Sequence, residues 1–149
     1  MIKRTHLVIG LAAALIFLPH VKYKLVFFPV VLIASLLPDI DSPNSAIGHN
    51  SIFRPLQFFA RHRGIFHSIT FCILASLALA FVLPSIAFPF FLGYSLHLFA
   101  DSFTQEGITP FWPWRKGSAG MLRTGGSIES SIFIGFLIAD AILFLGLFF

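Results

Sequence analysis

Five apolar runs, the first four stopped by a proline or a polar loop, constrain this chain more than any other feature. They read as about Leu7 to Leu18 (closed by Pro19), Leu25 to Leu37 (closed by Pro38), Ile65 to Leu83 (closed by Pro84), Ile86 to Asp101, and Ile128 to Phe149. Proline lacks the N–H that would continue a helix and clashes with the turn before it, so the closures set helix lengths. The first two runs are short for a thick bilayer, which is tolerable where a polar end is buried among other helices or the membrane thins locally. With 57% hydrophobic residues, 11% charged residues and 20 phenylalanines in 149 positions, the chain carries more apolar surface than a soluble core of this size can hide. The expected fold is all-α: a membrane helical bundle of about five short transmembrane helices, forming one domain over residues 1–149. The arginine-flanked piece from Ile52 to Arg61 suits a short helix lying in the interface.

The N-terminus, MIKRTHLVIGLAAALIFLPHVKYK, has the basic start and apolar centre of a signal peptide. Pro19, His20 and two lysines stand where a small-residue cleavage site belongs, so it reads as a retained first span. The net charge of +4 is dispersed as single and paired cations at the ends of apolar runs, where they anchor helices to headgroups; this excludes a nucleic-acid partner. Trp112 and Trp114 beside Arg115 and Lys116 read as a headgroup-level belt. Cys72 is alone, which excludes a disulfide framework or a thiolate metal cluster within the chain.

Placing the N-terminus inside puts Lys3, Arg4, Arg54, Arg61, Arg63, Arg115, Lys116 and Arg123 on the cytoplasmic face and leaves Lys22 and Lys24 outside, a clear positive-inside bias. The same topology brings His6, Asp39, Asp41, His62, His67, His97, Asp101 and Glu129 to that one face. Ionisable groups placed only to solvate helix ends would be shared between the two faces, so the clustering points to a site.

The motifs inside the cluster have metal-ligand character. In GYSLHLFADSFTQEG, His97 and Asp101 are four apart, on one helix face one turn apart. In LLPDIDSPNS, Asp39 and Asp41 follow the proline that stops a helix, and in an extended or turn geometry they face alike, able to bind one cation or bridge two. In HRGIFHS, Gly64 lets the backbone turn so that His62 and His67 reach one centre. Mixed imidazoles and carboxylates suit Zn²⁺, with Mn²⁺ or Fe²⁺ as alternatives, over all-oxygen Mg²⁺ or Ca²⁺, and their number allows one or two ions. A dinuclear site with an open position activates water and clamps both oxygens of a phosphoester, so hydrolysis is the natural reaction. Lipids or lipid-linked intermediates are the substrates met first at the headgroup level. Two other readings are a divalent-metal transporter or channel and a non-catalytic scaffold with a structural metal. Asp140 lies well inside the last run and reads as one end of a helix-to-helix hydrogen bond.

The series LLPDID, HRGIFHS and GYSLHLFADSFTQEGITPFWP, then a lone glutamate before the last apolar run, resembles the YdjM-like inner-membrane metal-dependent hydrolases over most of the chain. The resemblance implies a small helical inner-membrane protein with a metal site from Asp39, Asp41, His62, His67, His97 and Asp101, with His6 and Glu129 as further polar positions. That family is distantly similar to the zinc-dependent phospholipase C and nuclease P1 group, whose HxxxD motif His97 and Asp101 match. Phe66 departs from the threonine common in the HRGxTH form, and no later histidines follow Asp101. The roles expected on this basis make Asp41, His67, His97 and Asp101 direct ligands, and His6 and Asp39 ligands or bridges. His62 and Glu129 complete a second site or hold a ligand imidazole, Asp39 or Glu129 orients water, and Arg63 holds a phosphate or anchors the helix.

Overall fold

The computed structural model describes residues 1–41, 54, 64–114 and 117–148. Among them are five α-helices and no strands: α1 (Lys3–Phe17), α2 (Lys24–Ala34), α3 (Ile69–Val82), α4 (Pro84–Ser102) and α5 (Ser127–Gly146). Most of the interfacial piece expected from Ile52 to Arg61 lies outside the described residues. α5 is the one described helix both long and apolar enough to cross a membrane, while α2 and α3 are shorter apolar helices. Large apolar side chains face outward along the helices, among them Leu25, Leu74, Phe81, Phe99 and Ile142, the arrangement expected when hydrocarbon is the solvent.

The helices start and stop where local chemistry tells them to. Pro84 is the first residue of α4, where its missing N–H costs nothing, so Leu83 alone separates α3 from α4. α3 begins at Ile69 and not at Ile65, because the Ser68 hydroxyl accepts from Phe71 N (3.1 Å) and caps the helix there. Residues Ile65–His67 consequently form a separate 3-10 turn. α2 likewise ends at Ala34, three residues before the expected stop, and Leu37–Asp41 forms a second 3-10 turn.

α4 is the hub, packed against α1, α2 and α3, while α5 packs on α1. Contact between α4 and α2 is intimate because of Gly93: a Cβ there would lie 2.3 Å from the Val31 carbonyl oxygen. Beyond α4, residues 103–114 and 117–126 fold back over the helix end. Ile108 pairs with Ser118 in an antiparallel bridge, and Thr109 N donates to the His67 carbonyl (3.1 Å). The expected headgroup-level belt is confined to Trp112 and Trp114 beside Arg115 and Lys116, of which the last two lie outside the described residues. Trp112 and Trp114 are exposed, but the chain around them also braces the turn that holds His67.

Candidate metal centre

Four chain segments deliver side chains to one buried point. His6 comes from the first turns of α1, Asp39 and Asp41 from the turn after α2, His67 from the turn before α3, and His97 and Asp101 from the last turns of α4. His67 Nε2 lies 3.6 Å from Asp39 Oδ1 and 3.8 Å from Asp101 Oδ2. His97 Nε2 lies 3.7 Å from each of the same two oxygens. Four donor atoms thus form a closed quadrilateral with nearly equal sides. Donors bound to a tetrahedral Zn²⁺ at 2.0–2.1 Å stand about 3.3 Å apart; the four sides exceed this by a few tenths of an ångström, and mutual approach within 4.8 Å holds for His67, His97 and Asp101 together.

The far nitrogens of both imidazoles are fixed in the way metal-binding histidines require. His97 Nδ1 is 2.8 Å from the Ser35 carbonyl oxygen. A carbonyl only accepts, so Nδ1 carries the hydrogen and the neutral ring turns a bare Nε2 lone pair toward the carboxylates. That Nε2 is buried and has no hydrogen-bond partner among the described residues. His67 Nδ1 is held by Asp41 Oδ2 at 3.3 Å. Burial alone would lower the His67 pKa, but hydrogen bonds to Asp39 and Asp41 and the charges of Asp41 and Asp101 raise it to about 9. Burial would likewise raise the Asp39 pKa, and it is lowered by its hydrogen bond with His67 and by the charges of His97, His6 and His67. The acidic groups thus favour positive charge at the centre of the cluster.

Asp39 and Asp41 do not face alike, contrary to the spacing argument. In a 3-10 turn successive side chains point about 120° apart, so Asp39 reaches the Nε2 side of His67 and Asp41 the Nδ1 side. Asp41 is accordingly not positioned as a direct ligand but orients one. Asp41→Ala is expected to weaken metal binding about 10- to 100-fold without abolishing it; isothermal titration with Zn²⁺ checks this. Asp39 is the entry side: its side chain is 20% exposed, against at most 1% for His67, His97 and Asp101.

His6 stacks on His97 with ring centroids 3.8 Å apart, and its Nε2 is 3.3 Å from Asp101 Oδ1. The Met1 ammonium pairs with that same oxygen. Asp101 therefore turns one oxygen to the cage and the other to His6. His6, Asp39 and His97 also place ligand atoms within 4.8 Å of one another, as do His67, His97 and Asp101.

Glu129 has a different task from the one expected. Its Oε1 accepts from Ile2 N (2.6 Å) and Thr5 Oγ1 (2.8 Å), and its Oε2 from Gly125 N (2.6 Å). α1 has no side-chain cap of its own, so Glu129 caps it from α5 and thereby sets the helix carrying His6. Glu129→Gln, which keeps an acceptor oxygen, is expected to retain most metal binding, while Glu129→Ala costs about 2–3 kcal/mol in a chemical unfolding assay. If Glu129→Gln emptied the site while the protein stayed folded, the capping role would be wrong.

His62 and Arg63 lie outside the described residues. Asp140 is buried in α5, but neither carboxylate oxygen has a hydrogen-bond partner among the described residues, so the expected helix-to-helix bond is not formed among them. Sequence reading missed Ser35, which acts through its backbone carbonyl and leaves no side-chain signal. It also missed Tyr94, whose hydroxyl donates to the Phe66 carbonyl (2.6 Å) and ties the His67 turn to α4.

Fold and cluster together define the class: an all-helical protein with an apolar exterior and a buried histidine–aspartate cluster at one end of its helices. The chain belongs to the YdjM inner membrane protein family, which it matches over residues 1–148. It is 35% identical over 96 residues to "Inner membrane protein YdjM" of Escherichia coli (strain K12), across 58% of this chain and 49% of that protein, and equally to the protein of the same name from Shigella flexneri. The chain spans about half the length of these curated relatives. No solved structure matches it. Family membership places it among inner membrane proteins.

Proposed function

We propose that this protein is a multi-pass inner-membrane hydrolase that holds a divalent transition metal, Zn²⁺ above others, and cleaves phosphoester bonds of lipids or lipid-linked substrates at the cytoplasmic face. The observation that carries this reading is the quadrilateral of His67 Nε2, His97 Nε2, Asp39 Oδ1 and Asp101 Oδ2, with sides of 3.6–3.8 Å. The Met1 ammonium already occupies Asp101 Oδ1, so the reading is of one ion. The positive-inside distribution of lysine and arginine supports the orientation, and the outward apolar faces of the helices support their insertion.

An ion held by His67, His97, Asp39 and Asp101 would supply Lewis acidity and would lower the pKa of a bound water to about 7. The chain's own groups do the rest. Ser35 and Asp41 hold the two imidazoles in register, and burial excludes bulk water from all sides but that of Asp39. The Asp39 carboxylate, ionised at neutral pH, lies where an approaching water is oriented towards phosphorus. In the overall step a water oxygen bonds to phosphorus, the ester P–O bond breaks, and the departing alcohol leaves with a proton.

A transit site for metal would need polar groups laddered across the bilayer; Asp140 is the one acidic residue of the described helices placed far from the cluster end. A structural site would be closed by protein on all sides, which the partial exposure of Asp39 argues against. The deciding experiment is elemental analysis of purified wild type and His67→Ala, followed by a hydrolysis screen over phospholipids and phosphomonoesters. Stoichiometric metal in wild type, its loss in His67→Ala and metal-dependent hydrolysis are the expected results. Wild-type protein without transition metal above background would end the enzyme reading.

A further inference from the structure

The turn Leu37–Asp41 has a third face that the metal cluster does not use. Side chains three apart eclipse in a 3-10 helix, so Pro38 and Asp41 share the buried side, Asp39 faces the histidines, and Leu37 and Ile40 share what remains. Leu37 and Ile40, with Phe66 of the His67 turn, form the head of an apolar groove of about 390 Å³ between α3 and α4. Ile40 lies between the two aspartates, and Phe66 adjoins His67. From this head the groove follows Phe71, Ala75, Ala78 and Leu79 along α3. Their i, i+4, i+7, i+8 spacing is a single helix stripe, about 12 Å long at 1.5 Å per residue. The two alanines leave the space that larger side chains would fill. The Tyr94 hydroxyl in the groove wall is already donating to the Phe66 carbonyl, so the lining favours hydrocarbon over a polar guest.

We infer that this groove seats the hydrocarbon tail of the lipid substrate and so delivers its phosphate headgroup to the Asp39 side of the metal centre. The inference rests on the hydrolase reading and deepens it. Its head is built from residues adjoining Asp39, Asp41 and His67 in the chain, with Ile40 next to the part-exposed Asp39, whereas the apolar grooves that pass residues flanking His97 and Asp101 adjoin buried members of the cluster. Acyl and isoprenyl chains share the required chemistry. Phe66 is a wall of the tail site.

The test uses zinc-loaded protein in detergent, comparing wild type with Ala78→Phe on three substrates: a long-chain phosphatidic acid, an isoprenyl monophosphate and water-soluble p-nitrophenyl phosphate. Ala78→Phe is expected to raise KM about tenfold or more for the tailed substrate, with kcat on p-nitrophenyl phosphate unchanged; whichever tailed substrate shows the rise identifies the chain type. Unchanged KM for both tailed substrates, or equal slowing on all three, overturns the groove. A second readout does not need turnover: fluorescence of Phe71→Trp should be quenched by stoichiometric bromine-labelled lipid, and Ala78→Phe in the same background should relieve that quenching. If wild type hydrolyses nothing, the hydrolase reading fails; quenching relieved by Ala78→Phe would still establish the tail site, and no quenching would remove it too.

Discussion

Asp101→Ala is expected to empty the metal site altogether and to be the most damaging single change at it. Asp101 is fully buried. One of its oxygens lies 3.8 Å from His67 Nε2 and 3.7 Å from His97 Nε2, and the other lies 3.3 Å from His6 Nε2 and also meets the Met1 ammonium. Its loss opens two sides of the quadrilateral and removes the carboxylate oxygen that faces His6 Nε2 at once. Removing it also leaves the positive charge on His67 and Met1 with less compensation in a buried place, which typically costs about 3–5 kcal/mol. Metal content by elemental analysis should fall to background, and chemical unfolding of the metal-free protein should show a loss of that size. Asp101→Asn retains shape without charge and should lose metal while keeping more of the stability. Wild-type metal content in Asp101→Ala would show that the cage is not where the ion sits.

The parts of this architecture that were legible in the chain are those written in side-chain type and period. Prolines and apolar runs gave the five helices to within a few residues, because helix termination by Pro84 or capping by Ser68 is local chemistry. The gathering of His6, Asp39, Asp41, His67, His97 and Asp101 followed from topology alone: a chain that alternates direction brings every second helix end to the same face. Direction within the cluster was not legible. Whether Asp39 and Asp41 point together depends on a 3-10 turn against an extended one, and LPDID is compatible with either. Glu129 looked like a ligand because it shares the face, but its oxygens are taken by Ile2, Thr5 and Gly125, and a backbone N–H as partner has no sequence signature. The Ser35 carbonyl escaped for the same reason.

Gly93→Ala should disable the metal centre from one helical turn away, without touching any residue that meets an ion. The added Cβ would stand 2.3 Å from the Val31 oxygen, 2.9 Å from Ala34 Cβ and 3.0 Å from Ser35 N. These are mostly backbone atoms of α2, which cannot rotate aside as the end of a side chain would, so α2 and α4 must separate. Ser35 moves with α2, whereas His97 stays on α4, and the 2.8 Å contact between the Ser35 carbonyl and His97 Nδ1 is the one that stretches. The imidazole then loses the acceptor that fixes its tautomer and aims Nε2 at Asp39 and Asp101. Overpacking of this kind costs about 1–3 kcal/mol, and loss of a partner behind a ligand histidine costs about 10- to 100-fold in metal affinity. Gly135→Ala is the control: nothing lies within 4 Å of its added Cβ, and in the middle of α5 alanine is the better helix former. Zinc titration and thermal unfolding of both variants separate the effects. Folded Gly93→Ala protein with wild-type zinc affinity would show that α2 does not set the orientation of His97.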